Sequence, residues 1–451
     1  MRRKLHEQLG LVTTTTDHLW ARELGVMSQV LDEMPDVVDL VFGDLRGAGG
    51  NQNTGRDAMT AEQVLRAMVI KQRHGSSYEE LAFQVADSNA VRAFCRIPLS
   101  ASAPKKSTLQ RNIKRVKAST WEKASQRLVA YAQHKKIETG RKTRTDCTVV
   151  ETHIHEPSDS SLLWDCVRVL CRLMAKAKEA FGITFNSRRR RAKRRAMGIL
   201  NAKSKEQRVV LYRDLLKVTQ ETMAQAKHVM ALMRDVKAGD LSQMMAAMAI
   251  EQGIKDVLAL APRVVSQTER RVLRGEAVAA TDKIVSIFEP HTDIIIKDRR
   301  ETLYGHKVCL TTGASGLVLD LVVQRGNPAD STLAHSMVVR VASVLGKTPK
   351  QVSFDGGFSS RANVHAIKAM GVQDVVFSKH VGLDVADMAK SQWVFRQLRN
   401  FRAGIEGAIS FLKRTFRLGR CNWSGFESFR AYAWGSVLAC NLLVVARHLL
   451  D

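Results

Sequence analysis

A mixed α/β core, with an all-α region ahead of it and an all-α insertion inside it, is the fold class that the sequence predicts. Three observations carry it. Residues 143–156, TRTDCTVVETHIHE, are rich in Thr, Val and Ile and lose the helical period, which reads as a strand. Past residue 281, strand-like and helix-like segments alternate. Residues 1–138 and 158–280 instead repeat their apolar side chains every three to four positions, as helices do. The expected division is therefore a helical region over 1–138, a first piece of the α/β core over 139–157, a helical insertion over 158–280, and the rest of the core over 281–451. A chain of 451 residues with 45% apolar content can bury several such cores.

The N-terminal region carries repeated helix-start signals. Thr60-x-x-Gln63, Ser77-x-x-Glu80, Ser107-x-x-Gln110 and Ser119-x-x-Glu122 have capping-box spacing, and Gly75 and the PLSASAPKK loop (98–106) supply stops. Short helices with tight connections suit a helix-turn-helix type of module. Within it, TLQRNIKRVK (108–117) places Leu109, Ile113 and Val116 on one stripe and Gln110, Arg111, Lys114 and Arg115 elsewhere, as a recognition helix would, or equally a solvated basic helix.

The first core strand holds Asp146 near its beginning and ends at Pro157 and the SDSS turn. His153 and His155 alternate on the strand side opposite Asp146 and read as structural or solvent-facing. The insertion shows almost no Gly or Pro before Gly239 and reads as a helical hairpin or small bundle. It includes the basic run SRRRRAKRRA (187–196), which contains Arg190 and Arg191 and suits phosphate contact. Beyond it, GHKVCLTTG (305–313) and LVLDLVVQRG (317–326) flank Ala314-Ser315-Gly316 as a hairpin. A helix over about 330–345 leads to the strand QVSFD (351–355), which closes on Asp355 and is broken by Gly356-Gly357. Then follow a helix (361–370), a strand (374–379), a helix carrying Glu406 and a last helix (426–450).

On the Glu406 helix, Arg402, Glu406 and Lys413 share one broad face and Ile405, Ile409, Leu412 and Phe416 form the stripe to be buried. Glu406 is an isolated acid among Arg399, Arg402, Lys413, Arg414, Arg417 and Arg420. A salt-bridged helix face is the plain explanation; a ligand set shared with Asp146 and Asp355 is the other.

A formal charge of +26 and a pI near 10.1 point to a polyanionic partner, nucleic acid before anionic membrane. The seven cysteines (95, 147, 166, 171, 309, 421 and 440) form no C-x-x-C pair and no zinc spacing, and are expected to be reduced thiols of an intracellular protein. MRRKLHEQLG at the N-terminus lacks the apolar stretch of a secretory signal. AYAWGSVLACNLLVVA (431–446) is uncharged, but its 16 residues include Ser436 and Asn441, so a buried core helix is expected rather than a membrane span.

The element order and motifs resemble the RNase H-like core of DDE transposases of bacterial insertion sequences. Asp355-Gly356-Gly357-Phe358-Ser359 resembles their D-x-G-[YF]-x-[ST] block, Arg402-x3-Glu406-x6-Lys413 resembles their Y-x2-R-x3-E-x6-K block, and GNPADST (326–332) resembles a segment preceding the second Asp. Arg399 stands where that pattern has Tyr. The resemblance implies an α/β RNase H-like core with a mixed five-stranded sheet, and a catalytic and metal-binding triad of Asp146, Asp355 and Glu406. It also implies DNA contacts by Arg402, Lys413 and Arg399. Arg111, Lys114, Arg115, Arg190 and Arg191 are further candidate DNA contacts.

Phosphodiester chemistry supports the same triad, because two divalent ions about 4 Å apart can serve both the attacking and leaving oxygens. Hard carboxylate oxygens suit Mg²⁺ or Mn²⁺, and a pair of such ions is expected. Asp330, Asp320, Glu151 and Asp298 are alternative carboxylates. The expected activity is cleavage at the ends of an insertion sequence and joining to target DNA, by a cytoplasmic, nucleoid-associated homodimer or higher oligomer with no membrane contact. A non-catalytic descendant that binds DNA, and a nuclease of the same fold without strand transfer, are the alternatives.

Overall fold

The computed structural model describes residues 3–5, 17–46, 58–235, 240–297, 301–379 and 382–451. Asp298 and the Gly239 stop signal lie outside them. By its packing the chain divides into two compact units: residues 1–153 with 306–451, and residues 154–305.

The first unit begins with helices α1 (Leu19–Asp32), α2 (Pro35–Arg46), α3 (Ala61–His74), α4 (Tyr78–Asp87), α5 (Asn89–Phe94), α6 (Lys106–Arg115) and α7 (Ala118–His134). Two of the four expected capping boxes form, at Thr60 with Gln63 and at Ser77 with Glu80. The other two do not. Helices α6 and α7 start one residue before the serine, at Lys106 and Ala118, and neither has a side-chain cap. Asp44 of α2 takes the role at α7, accepting from the Lys117 N–H at 2.8 Å and the Thr120 hydroxyl at 2.6 Å. A tertiary acceptor thus replaces the local one that the spacing suggested.

Strand β1 (Lys142–Thr152) follows α7. The second unit then contributes α8 (Asp159–Phe181), α9 (Arg189–Asn201), α10 (Lys205–Asp235), α11 (Leu241–Thr268) and strand β2 (Asp293–Lys297). Its core is formed by Leu163, Val167 and Leu170 of α8, Leu215 and Val229 of α10, and Ile254 and Val264 of α11. Strand β2 pairs antiparallel with residues 301–305, the start of β3 (Glu301–Gly313). A strand at this end of the segment was not anticipated from the helical period.

The first unit resumes with the rest of β3, then β4 (Val318–Val323), α12 (Ala334–Leu345), β5 (Gln351–Phe354), α13 (Arg361–Ala369), β6 (Asp374–Phe377), α14 (Val385–Met388), α15 (Gln392–Thr415), β7 (Arg420–Cys421) and α16 (Phe426–Leu450). Strand order runs β4-β3-β1-β5-β6, with β7 beside the end of β1. The pairs β1–β5 and β5–β6 are parallel and β3–β4 is antiparallel. This mixed sheet flanked by helices fits an α/β RNase H-like core, and its five-strand path is lengthened by the β2 and β7 pairings.

Alternation along β3 sends successive side chains to opposite faces. Leu310 joins a core with Met27, Leu65, Met68, Trp121 and Leu128 of the N-terminal helices and Trp434, Leu438 and Leu442 of α16. Cys309 joins another with Met337, Phe354, Val364, Phe377 and Leu398. The N-terminal helices therefore share one apolar core with the sheet. Helix α16 is long and apolar enough to cross a membrane, yet 72% of its most apolar window is buried within the fold. Asn441 accepts from the Val318 N–H at 2.9 Å and donates to the Val318 carbonyl at 2.7 Å, so its amide completes the edge of β4.

The expectation that all cysteines are reduced needs correction. Cys147 of β1 and Cys309 of β3 form a disulfide, with Cα atoms 4.2 Å apart. The Thr145–Thr311 hydroxyl contact at 2.7 Å lies two residues away on each strand, in opposite directions, so antiparallel register sets the thiols face to face. A separation of 162 residues hides that pairing from any local pattern. Cys95, Cys166, Cys171, Cys421 and Cys440 are buried and form no disulfide among the described residues.

Lys71 of α3 is 2% exposed, with its ammonium 5.0 Å from the Tyr78 ring centre and 5.8 Å from that of Tyr432. Burial pushes its pKa down to about 8 from an ordinary 10.5. Between those values the unfolded chain binds the proton and the fold does not, so this residue makes stability rise with pH across that window. Lys71→Met is expected to be more stable than the parent by up to ~3 kcal/mol below pH 8, the advantage shrinking towards pH 10.5. Urea unfolding of both proteins at a series of pH values measures the difference; a gap independent of pH would contradict it.

Candidate active site

Asp146 lies on β1 and Asp355 directly after β5, neighbouring parallel strands whose register pairs Thr145 with Phe354. That register brings the next residue of each strand side by side. Helix α15 lies over them with Val394, Phe395, Leu398, Ile405 and Leu412 buried. Of the expected stripe, Ile405, Leu412 and Phe416 are fully buried and Ile409 partly so.

One guanidinium joins the three carboxylates. Arg402 Nη2 is 2.8 Å from Asp146 Oδ2 and 3.2 Å from Asp355 Oδ1, and Arg402 Nη1 is 2.9 Å from Glu406 Oε1. Exposure grades outward: the side chains of Asp146 and Arg402 are 14% and 15% exposed, Asp355 42% and Glu406 68%. The salt-bridged reading of Glu406 is thus what the geometry contains, and the same cation ties it to both aspartates. Among the described residues no three His, Cys, Asp or Glu side chains stand as a ready metal-ligand group. Three carboxylates nevertheless offer the hard oxygens that Mg²⁺ or Mn²⁺ takes, so the donor chemistry fits while the present spacing is that of a guanidinium.

Burial pushes the Asp146 carboxyl above its ordinary value, against the pull of Arg402 and of the Cys147 N–H, which donates to Asp146 Oδ1 at 2.7 Å. Burial also acts to raise Asp355. Its partners outweigh that: the Ser378 hydroxyl donates to Oδ1 at 2.8 Å, and with the Gly356 and Gly357 N–H groups and Arg402 it holds the carboxyl below the usual range. Two neighbouring carboxyls are thereby pushed in opposite directions.

Three residues outside the expected set shape the site. Arg144, two positions before Asp146 and so on the same strand face, donates to the Phe401 carbonyl at 2.7 Å and to the Thr312 hydroxyl at 2.9 Å. A Cβ at Gly404 would overlap its guanidinium, so glycine lets α15 approach β1. Lys307 donates to Asp330 Oδ1 at 2.7 Å and to the Pro328 carbonyl at 2.6 Å, fastening the GNPADST segment. Asn363 donates to the Ser331 and Phe358 carbonyls at 2.8 Å each, joining that segment to the turn after Asp355. An arginine inside a strand, on the same face as Asp146, was the available signal for Arg144.

The remaining candidates are dispersed. Arg399 and Arg414 are exposed on α15, and Lys413 is partly buried. On α6, Leu109, Asn112 and Ile113 are buried while Arg111, Lys114 and Arg115 are exposed, with the Lys114 ammonium 5.7 Å from the Trp423 ring centre. In the second unit the basic run splits between two faces of α9. Arg188 donates to Glu221 at 2.7 Å, and Arg191 and Arg195 both bind Asp214. Arg190, Lys193, Arg194 and Met197 are exposed and line a surface groove of about 600 Å³. Asp320 is fully buried and held by Arg340 at 2.6 Å, and Asp330 is paired with Lys307, so these two alternatives to the triad are engaged elsewhere. His153 is exposed, and His155 lies 3.4 Å from Asp165.

Residues 289–442 match the family described as the transposase DDE domain, and residues 21–115 match a second family, a transposase domain (DUF772). The first match takes in Asp355, Arg402, Glu406 and Lys413; Asp146 lies outside both. No curated protein and no solved structure matches the chain.

Proposed function

We propose, for a chain that belongs to the DDE transposases of insertion sequences, that Asp146, Asp355 and Glu406 form its catalytic centre for cleaving the element's ends and joining them to target DNA. The observation that carries this reading is the contact of one guanidinium with all three carboxylates. Residues separated by 256 positions meet there, and Asp146, outside the matched segments, is joined to the two that lie within them.

Divalent ions of the kind this family generally uses would supply charge neutralisation at the scissile phosphate and a more acidic attacking water. Asp146 would hold them from within β1, Asp355 from the end of β5, and Glu406 from α15. Ser378 and the two glycine N–H groups keep Asp355 ionised and oriented. Arg144 fixes the height of α15 over β1 and so places Glu406. Arg402, Lys413 and Arg399 face the DNA end, where guanidinium forks and an ammonium suit non-reacting phosphate oxygens. The exposed cations of α6 supply further DNA contact ahead of the catalytic centre.

Duplexes carrying the element's terminal inverted repeats, incubated with the protein and Mg²⁺, are expected to yield nicked or excised ends and strand-transfer products. Cleavage without joined products would favour a nuclease of the same fold, and binding without either would favour a non-catalytic descendant.

The face of α9 bearing Arg190, Lys193 and Arg194 is the natural phosphate contact of the second unit, since Arg188, Arg191 and Arg195 are engaged in holding α9 to α10. Each phosphate contact releases about 0.9 counterion. The triple substitution R190Q, K193Q and R194Q is therefore expected to reduce the slope of log affinity against log salt for a duplex by about 2 to 3. R191Q should leave that slope alone and lower thermal stability instead. An unchanged slope in the triple variant would remove α9 from the interface.

A further inference from the structure

We infer that Arg402 holds the place of the metal ions: its guanidinium and divalent cations compete for the same three carboxylates, and DNA phosphate settles the competition by drawing the guanidinium away. This rests on the reading of Asp146, Asp355 and Glu406 as metal ligands.

Arg402 cannot occupy its present position and leave room for an ion shared by the aspartates, because Nη2 already sits at hydrogen-bond distance from both. Divalent ions held by these carboxylates would draw on the same negative charge that Arg402 now partners. Charge makes the substitution favourable in principle. One guanidinium supplies a single positive charge to three carboxylates, leaving the cluster net negative, whereas two divalent ions would more than balance it. The present pose is also incomplete, for Arg402 Nε is buried without a hydrogen-bond partner. A buried orphan donor costs about 1–3 kcal/mol, which weakens the present pose relative to one in which Nε is satisfied. Arg402 lies one helical turn before Glu406 on the face that meets the sheet, so rotation about its side chain alone can carry the guanidinium from the carboxylates to a phosphate held above them. A phosphodiester offers two non-bridging oxygens that the planar guanidinium fork can take bidentately.

The consequence is order of assembly. Without DNA the carboxylates are satisfied by Arg402 and the protein binds metal weakly. With DNA the same residue moves to the phosphate and the ligands are freed, so metal and nucleic acid bind cooperatively.

Calorimetric titration of the full chain with Mn²⁺, without DNA, tests this directly. R402Q is expected to bind Mn²⁺ at least about tenfold more tightly than the parent, a difference near 1.4 kcal/mol. R402K, which keeps a charge but cannot fork to three carboxylates, should lie between them and serves if R402Q fails to fold. Adding a short blunt duplex, corrected for Mn²⁺ bound by the duplex alone, should tighten Mn²⁺ binding by the parent and leave R402Q unchanged. Equal Mn²⁺ affinity in the parent and both variants, together with loss of binding on adding D355N, would overturn the competition and leave the ligand assignment standing. Mn²⁺ binding that D355N does not affect in any background, or no binding at all, would overturn both.

Discussion

Replacing Asp146, Asp355 or Glu406 with alanine is expected to lower DNA cleavage by at least about 10³-fold, because bound metal supplies several kcal/mol of transition-state stabilisation. The three should not be equivalent in their effect on the fold. Asp146 is mostly buried, with Arg402 and the Cys147 N–H on its oxygens, so Asp146→Ala also removes one of the three carboxylates that hold a guanidinium only 15% exposed. Glu406 is 68% exposed and, among the described residues, forms its ion pair with Arg402, so Glu406→Ala should leave the melting temperature nearly unchanged. A salt-bridge role alone for Glu406 predicts full cleavage; a ligand role predicts loss of cleavage at a nearly unchanged melting temperature. Cleavage rates measured in Mg²⁺ beside thermal unfolding of each variant separate the two. Full activity in any of the three would sink that residue's assignment.

The second large effect is expected at Glu23, far from the carboxylates in sequence and chemistry. Its side chain is 1% exposed, contacts Arg73 of α3, and accepts from Arg447 Nε of α16 at 2.8 Å. Helix α1 is thereby tied to both the N-terminal helices and the last helix of the fold. Glu23→Ala leaves the Arg73 guanidinium, 6% exposed, buried without its carboxylate. Breaking one partner of a buried pair costs about 3–5 kcal/mol, a large share of the 5–15 kcal/mol by which domains are typically stable. Arg447→Met should cost much less, since Arg447 is half exposed and Glu23 keeps Arg73. Denaturant midpoints of the two variants, at equal m-values, check the ranking. A Glu23→Ala cost below that of Arg447→Met would mean the Glu23–Arg73 contact contributes little.

Much of the site could be read from local pattern. The spacing of Arg402, Glu406 and Lys413 requires a helix to matter, and an amphipathic stripe of Ile405, Leu412 and Phe416 guarantees one. Asp355 before Gly356-Gly357 marks a strand that must stop, and the strand does stop there. Thr60 and Ser77 cap their helices because each supplies both the hydroxyl and, three residues on, the side chain that answers it. The apolar run at the C-terminus is a buried helix because its two polar residues, Ser436 and Asn441, find acceptors and donors inside the protein.

What the sequence determined by itself was most of what has a short period or a fixed local spacing: the principal helices and strands, though not β2 or the caps of α6 and α7, which of their faces are apolar, and which carboxylates sit in a strand, at a strand's end or on a basic helix. Those properties depend on neighbours within a few residues, and the chain states them directly. Only the tertiary structure decided which distant partners meet. It put Arg402 between Asp146, Asp355 and Glu406, joined Cys147 to Cys309, and set Arg144 against the Phe401 carbonyl. It also divided one basic run into a face that holds the helix and a face that is open. The reason is physical. Strand register and helix packing set those contacts, and they arise from burying two apolar faces of one sheet at once, a condition no single segment contains.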